Sequence, residues 1–569
     1  MRPTSTNHRI WVLPIIALVA CEDVTTDPDG GVPDGGTCAT APAENATNQA
    51  KAEATLPTDQ GEKFMVVAYA TSELRTNETT DLTYAKAQPG GLLGGRAGGR
   101  VAGQVEPELA GWLSRLERRV SSEAGLRARS IQGPLTSAVR GGTAIRSYTD
   151  PKLGVQAGSQ ACTADAPGAC KAQKAVCVIP EGTTNGVCAS SLSLKFALTD
   201  QANPTAVTAA VRVVTDNVAI VVDEADAAAV SDADLEKLAK RFDERIAPVS
   251  RALFGEAVAA GKDFDGNGVT TIFVTSKLSG LGSDIVGIFF SDDLRPSAEA
   301  AHSNVSDLLY VSPLGATVTL DQLSGTIAHE YEHLINFYAK VVKGHSDREA
   351  AWLDEGLGVF AEDATGYGAD AFATHYAYLQ DPGNYSLTGN GVLGDGDTVQ
   401  RRGMASLFVR YLFEQSGGGD LDAASPSGAG VSAIRALVQG TDIELEAVGK
   451  VPGRTVHQWI GNFLAAVALD GTSYDCLSKY SFAPVAVVQY TGIQRGVNLR
   501  GTFNAGSTTI TFKGPVTNTL EAESVPFAWN AGEFRTVDGK GLTVSAAVPA
   551  DNFDGDLERV GLWVVPLAN

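Results

Sequence analysis

The chain has 569 residues, of which 44% are hydrophobic and 19% are charged, and its formal net charge is −22 with a pI of about 4.8. A length well beyond about 150 residues predicts several structural units, and the composition is that of a folded globular protein. Such an acidic surface repels phosphate backbones, which argues against nucleic acid as a partner.

The first residues have the pattern of an export signal. Arg2 and Arg9 precede an apolar run, Ile10–Ala20, which is about half as long as a membrane-spanning helix needs to be. The run ends in Leu-Val-Ala-Cys21, which resembles the lipobox of bacterial lipoproteins, where the cysteine is acylated. We therefore predict a lipoprotein signal peptide over residues 1–21 and a membrane anchor on Cys21. The expected location is the outer membrane, facing the periplasm or the cell surface; the alternative is plain secretion.

Residues 22–60 are rich in Asp, Gly, Pro and Thr, a composition that predicts a flexible tether. Residues 61–190 form an N-terminal accessory region or prosegment that ends in four closely spaced cysteines, Cys162, Cys170, Cys177 and Cys188. In an exported chain this cluster predicts local disulfides. A structural zinc is the alternative, although the usual spacing of paired zinc-binding cysteines is absent.

From about residue 191 the hydrophobic pattern becomes regular. Strand patterns and one amphipathic helix lead to short strands at Thr270–Thr275, Ile285–Phe290 and Asp307–Val311, and a long helix follows directly. After residue 365 the pattern is mostly helical, and from 481 it changes to short alternating strands. We predict an α+β domain over 191–480 with a helical C-terminal part, and a small all-β, sandwich-like domain over 481–569.

The long helix contains the sequence His329-Glu330-Tyr331-Glu332-His333. Positions i and i+4 share one helix face, so both histidines can bind one metal ion. Glu330 then lies where its carboxylate can reach a water molecule that zinc activates, and can act as the general base in attack on a carbonyl. We expect a Zn²⁺ site here.

A catalytic zinc needs a third protein ligand. The metzincin pattern is excluded, because Asn336 and Ala339 occupy the positions of its glycine and third histidine. Glu355 follows His333 by 22 residues, in a Trp-Leu-Asp-Glu-Gly-Leu stretch that resembles the gluzincins, in which a second helix supplies a glutamate ligand. Asp354 is the rival ligand, as in aspzincins, although we interpret it as the N-cap of that helix. Glu362 is expected either to orient a ligand histidine or to be a solvated charge.

The resemblance extends to a particular family. The stretches "TIAHEYEHLINFYAK", "WLDEGLGVFAED" and "GMASLFVRYLFEQSG" are similar to the hyicolysin family of bacterial secreted metallopeptidases. This resemblance implies a zincin-like fold and a neutral endopeptidase that acts on protein or peptide substrates with one zinc. It implies that His329, His333 and Glu355 are ligands and that Glu330 is the catalytic base.

One position departs from the family pattern. The chain has Arg402-Gly403 where Tyr-Gly is expected, so the usual tyrosine that stabilises the oxyanion is missing. Arg402 is a candidate catalytic replacement because a guanidinium donates hydrogen bonds, and a surface cation is the alternative interpretation. Tyr411 and His457 are further candidates.

Two further patterns bear on binding. The strand Asp307–Val311 is expected to be an edge strand that pairs with an extended peptide substrate. Asp263, Asp265 and Asn267 resemble the start of a calcium loop, but Val274 stands where an EF-hand needs glutamate. A tight Asx turn is the favoured interpretation, with Ca²⁺ as the alternative.

Two other functions fit the same motifs. A peptidase scaffold that has lost activity would serve as a surface-binding protein, and the missing tyrosine favours it. A zinc hydrolase of non-peptide substrates is the second alternative, because a fold alone does not define a substrate.

Overall fold

The computed structural model describes most of the chain from residue 43 to residue 567. The residues outside the description are 1–42, 48, 57–62, 74, 76–77, 89–90, 93–106, 130–159, 180–183, 257–263, 283, 316–317, 390–396, 424, 473–477, 489, 506–507, 522, 539–541, 551–552, 554–556 and 568–569. The predicted signal peptide with Cys21, and also Cys38, Asp263 and Cys476, therefore lie outside the described residues.

The described residues form helices and strands in a mixed arrangement. The strands are β1 Ala43–Thr47, β2 Lys51–Thr55, β3 Lys63–Ser72, β4 Thr79–Gln88, β5 Gly91–Leu92, β6 Ala161–Thr163, β7 Val176–Val178, β8 Asn185–Ala189, β9 Ser191–Phe196, β10 Thr205–Val214, β11 Val218–Asp223, β12 Thr270–Val274, β13 Gly287–Phe289, β14 Leu308–Val311, β15 Ala486–Val487, β16 Gln494–Arg495, β17 Thr502–Ala505, β18 Thr508–Thr511, β19 Asn518–Thr519, β20 Ser524–Ala528, β21 Ala531–Asp538, β22 Thr543–Ala547 and β23 Glu558–Pro566. The helices are α1 Pro107–Arg129, α2 Asp232–Arg241, α3 Ala247–Phe254, α4 Leu320–Phe337, α5 Ala351–Thr365, α6 Ala369–Gln380, α7 Val399–Gln415, α8 Ala429–Gln439, α9 Glu444–Gly449 and α10 Val456–Leu469. The expected mixture of helix and sheet is thus confirmed.

A six-stranded sheet with the order β13-β14-β12-β11-β10-β9 lies beside the histidine-bearing helix α4. Strands β11, β12 and β14 are parallel, whereas β13 pairs antiparallel with β14 and forms the edge. Every residue of β11 is buried, as expected for a parallel strand covered on both faces. The prediction that Asp307–Val311 is the edge strand is wrong, because β14 has β12 on one side and β13 on the other.

A β-sandwich joins the two ends of the described chain. One sheet has the order β1-β23-β3-β21-β19; in the other the order is β2-β22-β4-β20, with β5 on β4. Buried residues of both sheets, including Phe64, Leu82, Val544 and Leu562, form one apolar cluster. Strands from residues 61–190 and from residues 481–569 therefore share one core, although the sequence pattern assigned these two segments to different domains.

Strands β1 and β2 lie within the segment whose composition predicts a tether. β1 pairs with β23, and β2 pairs with β22, both antiparallel. The alanines of β2 are buried and its charged residues are exposed, in the alternation that a strand with one buried face has. Short apolar side chains are thus sufficient to fill the buried face of this strand, which its backbone hydrogen bonds hold in the sheet. The described part of residues 22–60 thus includes two paired strands.

Two disulfides close the small sheet β6-β8-β7. Cys162 is bonded to Cys177, and Cys170 to Cys188. The predicted local pairing is confirmed, and it leaves no thiolate in this cluster for a structural zinc. Among the described helices, none combines the length and the apolar character needed to cross a membrane.

Candidate metal centre and cleft

Helix α4 carries the two histidines of the motif. It begins after Thr319, whose side-chain oxygen accepts a hydrogen bond from the backbone N–H of Gln322. The helix is buried from Leu323 to Phe337, so the motif lies in the interior rather than on a solvated face. The rings of His329 and His333 lie edge to face with their centroids 4.7 Å apart, as the i, i+4 spacing predicts.

Helix α5 packs against α4 and carries Glu355. Close approach of the two helices depends on Gly358, because a Cβ atom at this position would lie only 2.8 Å from His329 Nε2. The interpretation of Asp354 as an N-cap is wrong: α5 begins at Ala351, and Asp354 lies inside its first turn.

The three predicted ligands converge. Nε2 of His329 is 3.2 Å from Glu355 Oε2, and Nε2 of His333 is 3.9 Å from Glu355 Oε1. Ligand atoms of these three residues all lie within 4.8 Å of one another. The structure therefore brings His329, His333 and Glu355 together, at separations that suit one small cation.

Both histidines are held from behind by carboxylates. Nδ1 of His329 is 2.8 Å from Glu362 Oε1, and Glu362 is buried, so it is not a solvated charge and it lies where it can orient this ring. Nδ1 of His333 is 3.1 Å from Glu332 Oε2 and 3.2 Å from Asp354 Oδ1. A neutral ring with its proton on Nδ1 would donate it to these carboxylates and would present the lone pair of Nε2 to a metal. Asp354 thus contacts the ring atom opposite to the one that faces Glu355.

The electrostatics of the site favour a cation. Burial lowers the pKa of His329, but the hydrogen bonds to Glu355 and Glu362 outweigh burial and raise this pKa to about 9. Burial raises the pKa of the Glu332 carboxyl to about 7 and also raises the pKa of Glu330. Carboxylates buried at this density need positive charge nearby, and two imidazoles with one glutamate form a typical zinc donor set. The residues present therefore fit zinc, which Nε2 of both histidines and a carboxylate oxygen of Glu355 would hold.

Arg402 lies at the edge of the donor set. It is buried rather than a surface cation, and its Nη1 is 2.9 Å from Glu355 Oε2. Asp397 accepts hydrogen bonds from Nε and Nη2, and Glu123 of helix α1 accepts one from Nη1 at 2.7 Å. These contacts hold the guanidinium beside the predicted ligand.

The two other oxyanion candidates lie elsewhere. Tyr411 donates a hydrogen bond to the backbone oxygen of Lys479, and Nδ1 of His457 is 2.7 Å from Thr71 Oγ1. Neither residue lines the cleft described next. Arg402 does not line the cleft either, but its contact with Glu355 makes it the candidate that lies beside the donor set.

A cleft opens at the donor set, and we use "cleft" for the space lined by Glu330, His333 and Glu355 together with Ile288, Phe289 and Phe337. Its lining thus combines the motif helix with the edge strand β13. Oε2 of Glu330 accepts a hydrogen bond of 2.8 Å from the backbone N–H of Phe289, which fixes the carboxylate between the helix and the strand.

The loop before β12 has the geometry of Asx turns. Asp265 Oδ1 accepts a hydrogen bond from the backbone N–H of Asn267, and Asn267 Oδ1 accepts one from that of Val269. Both side chains thus bond two residues ahead, which confirms the favoured interpretation. Asp265 Oδ2 also accepts a hydrogen bond from Ser306 Oγ, which ties the loop to the segment before β14.

Several residues of the site were not predicted from the sequence. Glu332 has a recognisable signal, because an acid beside a ligand histidine on a buried helix face needs a partner. Gly358 has one too, since a glycine inside a helix marks close packing. Glu123 and Asp397 lie far from the motif in sequence and have no local signal.

Comparisons with known proteins identify one distant relative. The chain is 26% identical over 214 residues to the neutral metalloprotease ShpI of Staphylococcus hyicus, and the match covers 34% of this chain and 44% of ShpI. The chain therefore spans less than half of the length of this relative. No family model matches the chain. The match supports a distant relationship with metallopeptidases and, with the donor set, a metal that zinc fits best.

Proposed function

We propose that the protein is a zinc-dependent endopeptidase of the gluzincin type, similar to the hyicolysins. The observation that carries the proposal is the convergence of Nε2 of His329 and His333 on Glu355, with both Nδ1 atoms held by buried carboxylates. The partial match to ShpI supports the same class.

Each residue has a defined part in the proposed reaction. When bound, zinc would polarise the substrate carbonyl and make water more acidic. Glu330 takes the proton from the attacking water and passes it to the leaving amine. Its hydrogen bond from Phe289 holds one carboxylate oxygen in place during both transfers. Arg402 donates to the oxygen on which negative charge develops.

The edge strand β13 supports an extended peptide as the substrate. Among the described strands, β13 is the terminal member of its sheet, and Phe289 lies directly beside Glu330. A peptide added antiparallel to such an edge would pass in front of the donor set, with apolar side chains against Ile288 and Phe337. The proposal therefore favours a polypeptide over a small non-peptide substrate.

Export is part of the proposal. The pattern of residues 1–21 and the two disulfides support an oxidising compartment, and acylated Cys21 would anchor the chain in a membrane. Metabolic labelling with a radioactive fatty acid tests the anchor, with Cys21→Ser as the variant expected to lose the label.

The test of the enzyme is Glu330→Gln. We expect the variant to bind zinc as tightly as the wild type, while kcat for casein or a peptide falls about a thousandfold because the base is lost. Glu446→Gln, an exposed residue of α9, is the matched control and should change neither quantity.

The outcome separates the alternatives. Retained turnover in Glu330→Gln would remove Glu330 as the base. Zinc bound in the wild type without peptide cleavage, even after helix α1 has been released as described below, would favour the inactive binding protein. Cleavage of esters but not peptides would favour the non-peptide hydrolase.

A further inference from the structure

Helix α1 belongs to the N-terminal region, yet it docks on the catalytic half of the protein. Its apolar stripe, Leu109, Leu113, Leu116 and Val120, is buried, and the helix packs against α6, α7 and β18. Such a buried stripe indicates specific docking rather than a loose accessory segment.

Polar contacts attach α1 to α6 and to the segment before β13. On the side of α6, Asp370 accepts hydrogen bonds from Trp112 Nε1 at 2.9 Å and from Arg119 Nη2 at 3.0 Å. On the side of the edge strand, Arg118 Nε donates to Asp284 Oδ2 at 2.6 Å, three residues before β13 begins. Helix α1 therefore connects α6 with the segment just before the edge strand β13.

Glu123 extends from this bridge into the cleft, where it lines the same space as Glu330, His333 and Glu355. Its Oε2 is 2.7 Å from Arg402 Nη1, and the same Nη1 is 2.9 Å from Glu355 Oε2. The two carboxylate oxygens can thus be no more than about 5.6 Å apart, the two distances combined. A carboxylate of α1 lies next to the predicted zinc ligand.

The contacts of Arg402 show what Glu123 displaces. A guanidinium has two hydrogens on Nη1, and here these two face Glu123 and Glu355. Nε and Nη2 bond Asp397. An oxyanion formed during peptide hydrolysis would need the Nη1 donor that Glu123 occupies.

We propose that helix α1 is a built-in inhibitor of the cleft, in which the carboxylate of Glu123 takes the place of the substrate oxyanion on Arg402. The inference rests on the proposed function and adds its regulation. Because Glu123 lines the same cleft as Ile288 and Phe289 of β13, a peptide bound along this edge would meet Glu123, and substrate binding would require α1 to move away.

The first test uses the full-length, zinc-loaded protein and a peptide hydroxamate as the probe, with affinity measured by calorimetry. Glu123→Gln keeps the size of the side chain and removes its charge, so we expect about tenfold tighter hydroxamate binding, as expected for the loss of one competing charge-assisted hydrogen bond. Glu117→Gln, an exposed residue on the same helix, is the control and should bind as the wild type does. Unchanged or weaker binding in Glu123→Gln overturns the proposal.

A second variant tests whether the effect of Glu123→Gln comes from the position of α1 and not only from the changed side chain in the cleft. Asp370→Asn weakens the hydrogen bonds that Asp370 accepts from Trp112 and Arg119 of α1, and Asp370 does not line the cleft. This variant should also increase hydroxamate affinity and kcat/KM for peptides. Amide hydrogen exchange of residues 107–129 in the wild type should become faster when the hydroxamate is bound. Exchange that stays equally slow would show that α1 and the probe do not compete, and the inhibitor role would fail.

The readouts separate this inference from the proposed function. If Glu123→Gln binds the hydroxamate more tightly but neither it nor Asp370→Asn cleaves peptide, α1 is an inhibitor of a site that is not a peptidase. If the wild type and both variants cleave peptide equally well, the peptidase stands and the inhibitory role of α1 is wrong.

Discussion

The carboxylates behind the two histidines differ in number, which leads to a quantitative prediction. Among the described residues, Nδ1 of His329 has one carboxylate partner, Glu362 at 2.8 Å, whereas Nδ1 of His333 has two, Glu332 and Asp354. Loss of a single orienting partner typically weakens metal binding about 10- to 100-fold, or about 1.4–2.7 kcal/mol. Glu362→Gln should therefore weaken zinc binding by at least about tenfold. Asp354→Asn should cost less than about threefold, because Glu332 remains.

The assay is competition for zinc with a chromophoric chelator of known affinity. Circular dichroism and thermal denaturation of both variants serve as folding controls, since each substitution is nearly isosteric. If Asp354→Asn weakens zinc binding as much as or more than Glu362→Gln, the reasoning is refuted. That result would favour Asp354 as a direct ligand, as in the aspzincin alternative.

Two further predictions concern packing and pH. Gly358→Ala places a Cβ atom 2.8 Å from His329 Nε2, so the affinity for zinc should fall at least about tenfold while helix content is retained. Gly111→Ala is the control, because the atom nearest to its Cβ would be 3.9 Å away. Equal zinc affinity in both variants would contradict the packing argument. Burial raises the pKa of Asp293 to about 7, against hydrogen bonds from Tyr310 and Asn304 that lower it. The folded protein thus holds this proton more tightly than the unfolded chain, so its stabilising effect is complete below about pH 4 and is lost as pH rises through about 7, at up to about 1.4 kcal/mol per pH unit. Asp293→Asn should remove this slope from thermal denaturation between pH 4 and 7, and an identical slope in both proteins would refute it.

The predictable part of the site is local in sequence. His329 and His333 meet because helical geometry alone brings positions i and i+4 to one face, so no tertiary information is needed. Glu355 could be proposed because its stretch resembles a known pattern, although its contact with the histidines depends on how α5 packs on α4. The interpretation of Asp354 as an N-cap was wrong because a cap depends on the residue at which the helix begins. The sequence pattern did not give that residue, and α5 begins three residues before Asp354.

The unpredictable part depends on contacts between distant segments. The backbone N–H of Ser72 bonds the side chain of Asn530, 458 residues away, and neither strand pattern identifies its partner. The edge strand could not be identified for a similar reason: β13 and β14 are both short and apolar, and their order in the sheet depends on which of them pairs with β12. Glu123 had no signal at all, because its position beside Arg402 comes only from the docking of α1 on α6 and α7.

The sandwich restricts how α1 can be released. Strand β3 pairs with β21 on one side and β23 on the other, and β4 pairs with β20 and β22. Both strands precede α1 and are central in their sheets, so shedding the whole region before the catalytic part would remove the middle of each sheet and expose its apolar core. Regulation through α1 is therefore compatible with displacement of the helix, or with its excision between β4 and β6, but not with loss of residues 61–190 as one prosegment. The N-terminal region thus contains two parts with different roles: strands that the fold requires, and a helix whose displacement the proposed inhibition requires.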